Sequence, residues 1–308
     1  MRTRYRLLLA FAALLSCTVS LGQQPELQLV AKVPYPVAVA GLPDVGYYIL
    51  TAENVVYRYV AADSGLQFSS RFPLDPPGDA IDIAFLHVDQ EDSVVVTQWT
   101  DKVKLGFVNR YSPNGKLLSS WKTQHIPTGV DFDAVNRLVY FATVDSHELY
   151  KVDLRGGEPQ FVCEIRGAIQ LGPIALDVDR QLMYVADNQG AIFIVDLGTK
   201  KVKQLSSSFG LASALLFYRN HKVLYVADTV RKRIYAVDTS MPSQSNRVIT
   251  QSPQLMAPSG IAPGRGDALL VTDSKSEKVF LAQIGPSGMG ISQFPRPAKK
   301  AQELHPKR

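Results

Sequence analysis

The 308-residue sequence has only two cysteines, two tryptophans, five methionines and five histidines. Cys17 lies close to the N-terminus, so the body of the chain carries Cys163 alone. One cysteine closes no internal disulfide and supplies no paired-cysteine metal site. Cys163 stands in the apolar run Phe161-Val162-Cys163, where a packed thiol is expected rather than a nucleophile. The apolar run from Leu7 to Leu15 falls well short of the roughly 20 residues a membrane helix needs, and no other run approaches that length. The chain also lacks sustained helical periodicity, a glycine-rich phosphate loop, a nucleophile elbow and a glycosylation sequon. These absences exclude a disulfide-stapled scaffold, an alternating helix–strand fold and a chain that crosses a membrane on helices.

Positive charge is scarcer in the body than the net +5 suggests. Three signal-region arginines and the +4 of residues 296–308 leave −2 between them, so no basic face for nucleic acid is expected. The N-terminus, with Arg2, Arg4 and Arg6 before the apolar run and small residues after it, reads as a secretory signal over 1–22. Two processing routes fit it. Ser20-Leu21-Gly22 offers a cleavage site before Gln23, and Leu14-Leu15-Ser16-Cys17 resembles a lipobox that would make Cys17 a lipid anchor. Either route exports the protein, to a bacterial periplasm or the extracellular space. The proline- and charge-rich tail 296–308 reads as disordered.

What is abundant is one repeated pattern. Aligning YILTA, VVVTQ, VYFAT, MYVAD, LYVAD and LLVTD places Ala52, Gln98, Thr143, Asp187, Asp228 and Asp273 in register, at spacings of 46, 45, 44, 41 and 45 residues. Each unit opens with a short apolar segment, such as AIDIAFL, GVDFDA or PIALDV. A turn rich in Asp, Asn and Gly precedes the aligned strand, and a polar elbow then leads to a third strand, such as AIFIVDL or RIYAVD. A more polar fourth strand closes the unit, as in LLSSWKT or PQFVCEI. Asn114-Gly115 between the third and fourth strands of the second unit predicts a tight hairpin. Four short strands per unit of forty-odd residues, six times over, predict an all-β six-bladed β-propeller over residues 23–295. ELQLVAKV at 26–33 has fourth-strand character and is expected to pair with the last blade and close the ring, removing an exposed edge. Ile291–Phe294 (ISQF) is the competitor for that place.

The phrases GPIALDVDRQLMYVADNQGAIFIVDL and ALLFYRNHKVLYVADTVRKRIYAVD resemble six-bladed propellers of the NHL, YWTD and gluconolactonase-like group, and the resemblance extends over the whole mature chain. It implies the fold and leaves function open, because these propellers include hydrolases, lyases, receptors and binding modules. Gluconolactonase-like enzymes, as the resemblance implies, hold a divalent metal in the channel with Glu, two Asn and Asp at blade starts. In this sequence Thr128 stands where an asparagine is expected and Ser259 where the aspartate is expected. LGPIAL offers no ligand, and Asp79 is the one natural carboxylate. A lone carboxylate does not hold a hard cation. No cofactor is therefore expected, with calcium or magnesium implied only if the gluconolactonase-like reading held.

The lead-in loops to each first strand and the second-to-third-strand elbows crowd one face of a propeller, so chemistry is sought there. The candidates for ligand contact on that face are Glu53, Asp79, Trp99, His125, His147 and Arg231, with no catalytic or metal-ligating set among them. Trp99, placed on an elbow beside Asp101, offers a stacking surface; Trp121, in a fourth strand, is expected to pack between blades. His125 and His147 open and bend the third unit, where backbone-bonded loop roles are favoured over a zinc or proton-shuttling pair. The GRGD at 264–267 is what a tight first-to-second-strand turn needs. Asp228, with counterparts at Asp187 and Asp273, is expected to cap its elbow through backbone bonds or to pair with Arg233. The sequence therefore points to an exported monomeric binding module, taking a protein, peptide or glycan on its channel face. The alternative is a metal-dependent gluconolactonase-like hydrolase or a lyase.

Overall fold

Strands that carry apolar residues at consecutive positions need cover on both faces, and the second strand of every unit is of this kind. Gly46–Thr51, Val223–Asp228 and Ala268–Asp273 are buried along their whole length. Such strands are stable when each sheet packs between two others, which is the arrangement found. The computed structural model describes residues 27–285 apart from 63–64, 76–77, 89–90, 103–104, 220 and 240–245. The signal region with Cys17, the segment Ile291–Phe294 and the tail 296–308 lie outside the described residues.

Six four-stranded antiparallel sheets form the blades of a propeller. Their innermost strands are Pro36–Leu42, Asp79–Val88, Pro127–Asp133, Leu171–Asp177, Ala212–Tyr218 and Pro258–Pro263, for blades one to six in that order. In five blades the four strands are consecutive in sequence. In the sixth, the outermost place is taken by Leu27–Lys32 from the N-terminal end, pairing antiparallel with Lys278–Gln283 in the register Leu27↔Ala282 and Lys32↔Lys278. The ring is thus closed by the N-terminal strand, and Leu27 is buried in the core between blades five and six.

The core is divided into six apolar clusters, one at each blade-to-blade interface. Trp121 belongs to the cluster joining blades two and three, with Val108 from its own blade and Phe141 from the next. Cys163 is buried in the cluster between blades three and four, and burial pushes its thiol above the usual range. The fourth strands are exposed on one face, as in Leu117–Thr123, because no further strand covers them.

The register corrects one alignment. Asp187, Asp228 and Asp273 pair with Leu171, Ala212 and Pro258, the first residues of their blades' inner strands. In blade one the residue paired with Pro36 is Thr51, so Thr51 rather than Ala52 is the equivalent position. Two expected turns are in place. Gly115 adopts φ 86° in the hairpin closed by Gly115 N donating to Ser112 O, and Gly266 adopts φ 61° in the Gly264–Asp267 turn.

Candidate functional site

In an antiparallel four-stranded blade the lead-in to the first strand and the second-to-third-strand elbow fall on the same end. The recurring aspartate ties them together. Asp228 accepts hydrogen bonds from Arg231 N in its elbow (2.8 Å) and from Gly210 N and Leu211 N in the lead-in loop (2.7 and 3.3 Å). Asp273 does the same with Ser276 N, Met256 N and Ala257 N, and Asp187 with Gln189 N, Ala191 N and Ile169 N. All three carboxylates are buried, which makes these charge-assisted bonds strong. Arg233 is not the partner of Asp228; the nearest cation is Arg231, whose Nε lies 3.9 Å away.

Blade three lacks this aspartate and divides its work between two residues. Thr143 Oγ1 accepts Glu148 N within the elbow, and Asp145 accepts Ile126 N from the lead-in loop (2.9 Å). The second Asp145 oxygen lies 3.1 Å from His125 Nδ1, and Glu148 is 3.8 Å from His125 Nε2. Tyr150 donates to Glu148 (2.6 Å) and stacks on His125 and Phe141. Burial, followed by the bond to Glu148 and the charges of Glu148 and Asp145, pushes the Tyr150 phenol up to about 12. It is therefore a neutral donor at physiological pH.

The other expected contact residues are dispersed. His147 sits at the last position of its elbow with φ 57°, and its ring Nε2 bonds Ile169 O (2.6 Å). Asn54, Lys232 and Glu277 hold the same left-handed position in blades one, five and six. This is a conformation Asn and His tolerate better than most residues. Arg231 is exposed and donates to Ser208 O. Glu53 is exposed on its elbow, and Asp79 is the exposed first residue of its strand. Trp99 lies not on the elbow but within the strand Glu91–Thr100, opposite Asp79, with its indole donating to Asp101 (3.1 Å). Among the described residues no hydrogen bond or ion pair joins Glu53, Asp79, His125 and His147 to one another.

Nearer the axis, adjacent blades are tied by polar side chains. Thr97 Oγ1 donates to Thr128 O (2.7 Å), Thr128 Oγ1 to Gly172 O (3.4 Å), Ser213 Oγ to Pro258 O (2.7 Å) and Ser259 Oγ to Pro36 O (2.7 Å). Asn54 Oδ1 accepts Ala80 N across blades one and two (2.8 Å). Thr128 and Ser259 are the positions at which the lactonase resemblance implies metal ligands, and here both hydroxyls bridge to the next blade. Among the described residues no three His, Cys, Asp or Glu side chains are grouped to hold a metal. This donor set does not fit calcium or magnesium, which need six to eight oxygens or an octahedral shell.

Sequence reasoning passed over four apolar side chains on this face. Tyr35, Ile169 and Val230 are 53%, 52% and 64% exposed, and Met256 is exposed in the lead-in to blade six. Each stands in a lead-in loop or elbow. A large apolar residue flanked by turn residues was the signal available for them.

Among solved structures, the chain resembles one from a nidogen–laminin complex, with 18% identity, a TM-score of 0.64 and coverage of 75% of this chain and 86% of that one. It also resembles a catalytically inactive variant of virginiamycin B lyase from Staphylococcus aureus solved with quinupristin, with 14% identity, a TM-score of 0.58 and coverage of 82% and 84%. At these identities the likeness concerns the fold. No protein-family model and no curated protein matches the sequence.

Proposed function

We propose that this six-bladed propeller is an exported, NHL-like binding module that takes a protein partner on the face built from its lead-in loops and elbows. The observation that carries this reading is the set of exposed apolar side chains there, Tyr35, Ile169, Val230 and Met256, drawn from four separate lead-in loops or elbows. Exposed apolar groups that a partner can cover together, inside a polar rim, are the kind of surface protein interfaces use. The polar groups of the same face are largely engaged internally, the recurring aspartates by backbone N–H groups and His147 by Ile169 O. Arg231 and Trp99 lie on this face and are the polar and aromatic contacts expected to flank the apolar ones. The nidogen–laminin structure is consistent with this use of the fold. The lyase or hydrolase alternative draws on one place, the His125–Asp145–Glu148–Tyr150 cluster, where an imidazole meets two carboxylates.

A photo-crosslinking amino acid at Val230 or Tyr35, in cells of the source organism, tests the proposal. A discrete protein adduct is expected there and not from Val135, which is 76% exposed on the opposite face. The adduct at Val230 is expected to vanish with Ile169→Asp. Equal labelling from Val135, or adducts insensitive to Ile169→Asp, would reject the assignment.

A further inference from the structure

The propeller channel is not filled at the end bounded by the first-to-second-strand turns. A cavity of about 490 Å³ occupies it, within the range of small-molecule sites. Small side chains line it on blades one, five and six, including Ala38, Ala40, Ala214 and Gly260, and aliphatic and aromatic ones line its mouth.

Two carboxylates break this apolar wall, both on the side of blades two and three. Asp82 accepts Ile83 N (2.8 Å) and, across the blade interface, Val130 N (3.1 Å). Asp131 accepts Phe132 N and, across the next interface, Leu176 N, both at 2.7 Å. Each oxygen thus accepts one hydrogen bond, and an ionised carboxylate has about four acceptor sites, so about half the capacity of each remains. Among the described residues no Lys, Arg or His forms an ion pair with either. The basic side chains lining the cavity already face acids: His87 Nδ1 lies 2.8 Å from Asp92, and Arg219 Nε lies 3.1 Å from Asp179. The uncompensated charge of the cavity is therefore negative.

Blade stapling does not explain that charge. The same kind of cross-blade acceptor is supplied by the neutral Asn54 between blades one and two, and neutral serine hydroxyls bridge blades five to six and six to one by donating to backbone carbonyls. Burying an ion without a counter-charge is costly, and an incoming cation would remove the cost.

From these observations we infer that this end of the channel binds a small organic cation, an ammonium group on a compact apolar body, with Asp82 and Asp131 as its counter-ions. The ammonium donates to the free lone pairs of the two carboxylates, and the apolar body fills the space lined by the alanines. The site lies at the opposite end of the channel from the lead-in face and stands independently of the partner proposed there. Burial raises Asp82 to about 7 and Asp131 to about 6, with added repulsion from Asp131 on the first and from Asp133 on the second, so the cation competes with protons for both.

The test is calorimetric titration of the purified protein with benzylammonium, benzyl alcohol and benzoate. At pH 8, benzylammonium is expected to saturate one site and to bind at least about tenfold more tightly than either isostere, as charge-assisted bonds require. Its affinity is expected to fall on going to pH 5, also in His87→Gln, which removes the imidazole lining the cavity. Asp82→Asn and Asp131→Asn each lower the preference for the cation. Ala40→Leu abolishes binding by filling the cavity from blade one while leaving both carboxylates and their bonds in place. Equal affinity for the three probes, or benzylammonium binding unchanged in folded Asp82→Asn and in Ala40→Leu, would overturn the inference.

Discussion

Replacing Asp228 by alanine separates a structural elbow from a reactive centre. The carboxylate is fully buried and accepts Gly210 N at 2.7 Å, Arg231 N at 2.8 Å and Leu211 N at 3.3 Å. Hydrogen bonds to a charged group contribute about 1.5–3 kcal/mol each, so the two short bonds are worth roughly 3–6 kcal/mol and the long one adds little. Part of this offsets the desolvation of the carboxylate, which leaves an expected loss of about 3–5 kcal/mol. For a domain of this size that corresponds to a fall of roughly 10 °C in Tm. Asp228→Thr is the informative companion. Thr143 and Thr51, at equivalent positions, bond the elbow but not the lead-in loop, so threonine is expected to recover about half the loss. Urea unfolding followed by circular dichroism gives both values, provided the m-value is unchanged. A loss below about 1 kcal/mol for Asp228→Ala would refute the reasoning, because it would mean the three donors find other acceptors at no cost.

Three other outcomes are expected. Gly129→Ala places a Cβ 2.4 Å from Gly172 O across the blade three–four interface and should cost about 1–3 kcal/mol, whereas Gly172→Ala, whose nearest neighbour is at 3.7 Å, should be close to neutral in the same thermal melts. Asp82 and Asp131 have folded-state pKa values raised above those of the unfolded chain, so the native state binds more protons between about pH 4 and pH 7. Their contribution to stability is most favourable at the acid end and declines as pH rises; Asp82→Asn should flatten that decline in urea midpoints measured across the window. Deleting residues 27–32 exposes the edge of Lys278–Gln283 and removes Leu27 from its cluster, so light scattering should detect association of the shortened chain, reversed by a synthetic peptide of the missing strand.

The blade pattern is readable because it is local: an apolar strand, a turn and an elbow of fixed chemistry recur at nearly constant spacing, and each covers its neighbour in the same way. Trp121 and Cys163 could be assigned to packing on the same basis. The lead-in face was harder. Trp99 was expected on an elbow, but the second strand of blade two extends to Thr100 and carries the residue with it. His147, for which a backbone-bonded loop role is expected, has a left-handed backbone shared by a recurring set of elbow residues and bonds Ile169 O.

Taken alone, the amino-acid order determined the number of blades, their strand order and the means of closure. Those follow from periodic burial and turn chemistry along a single chain. Tertiary structure decided which polar groups are free. The partners of Asp82 and Asp131 lie 48 and 45 residues away, and those of Asp228 include a loop 18 residues upstream. A carboxylate's role depends on the donors that reach it and the charges that do not, and only the closed ring brings the blades together to settle both. An aspartate is therefore an elbow staple at Asp228 and, at Asp82, a cross-blade acceptor that also lines the channel cavity.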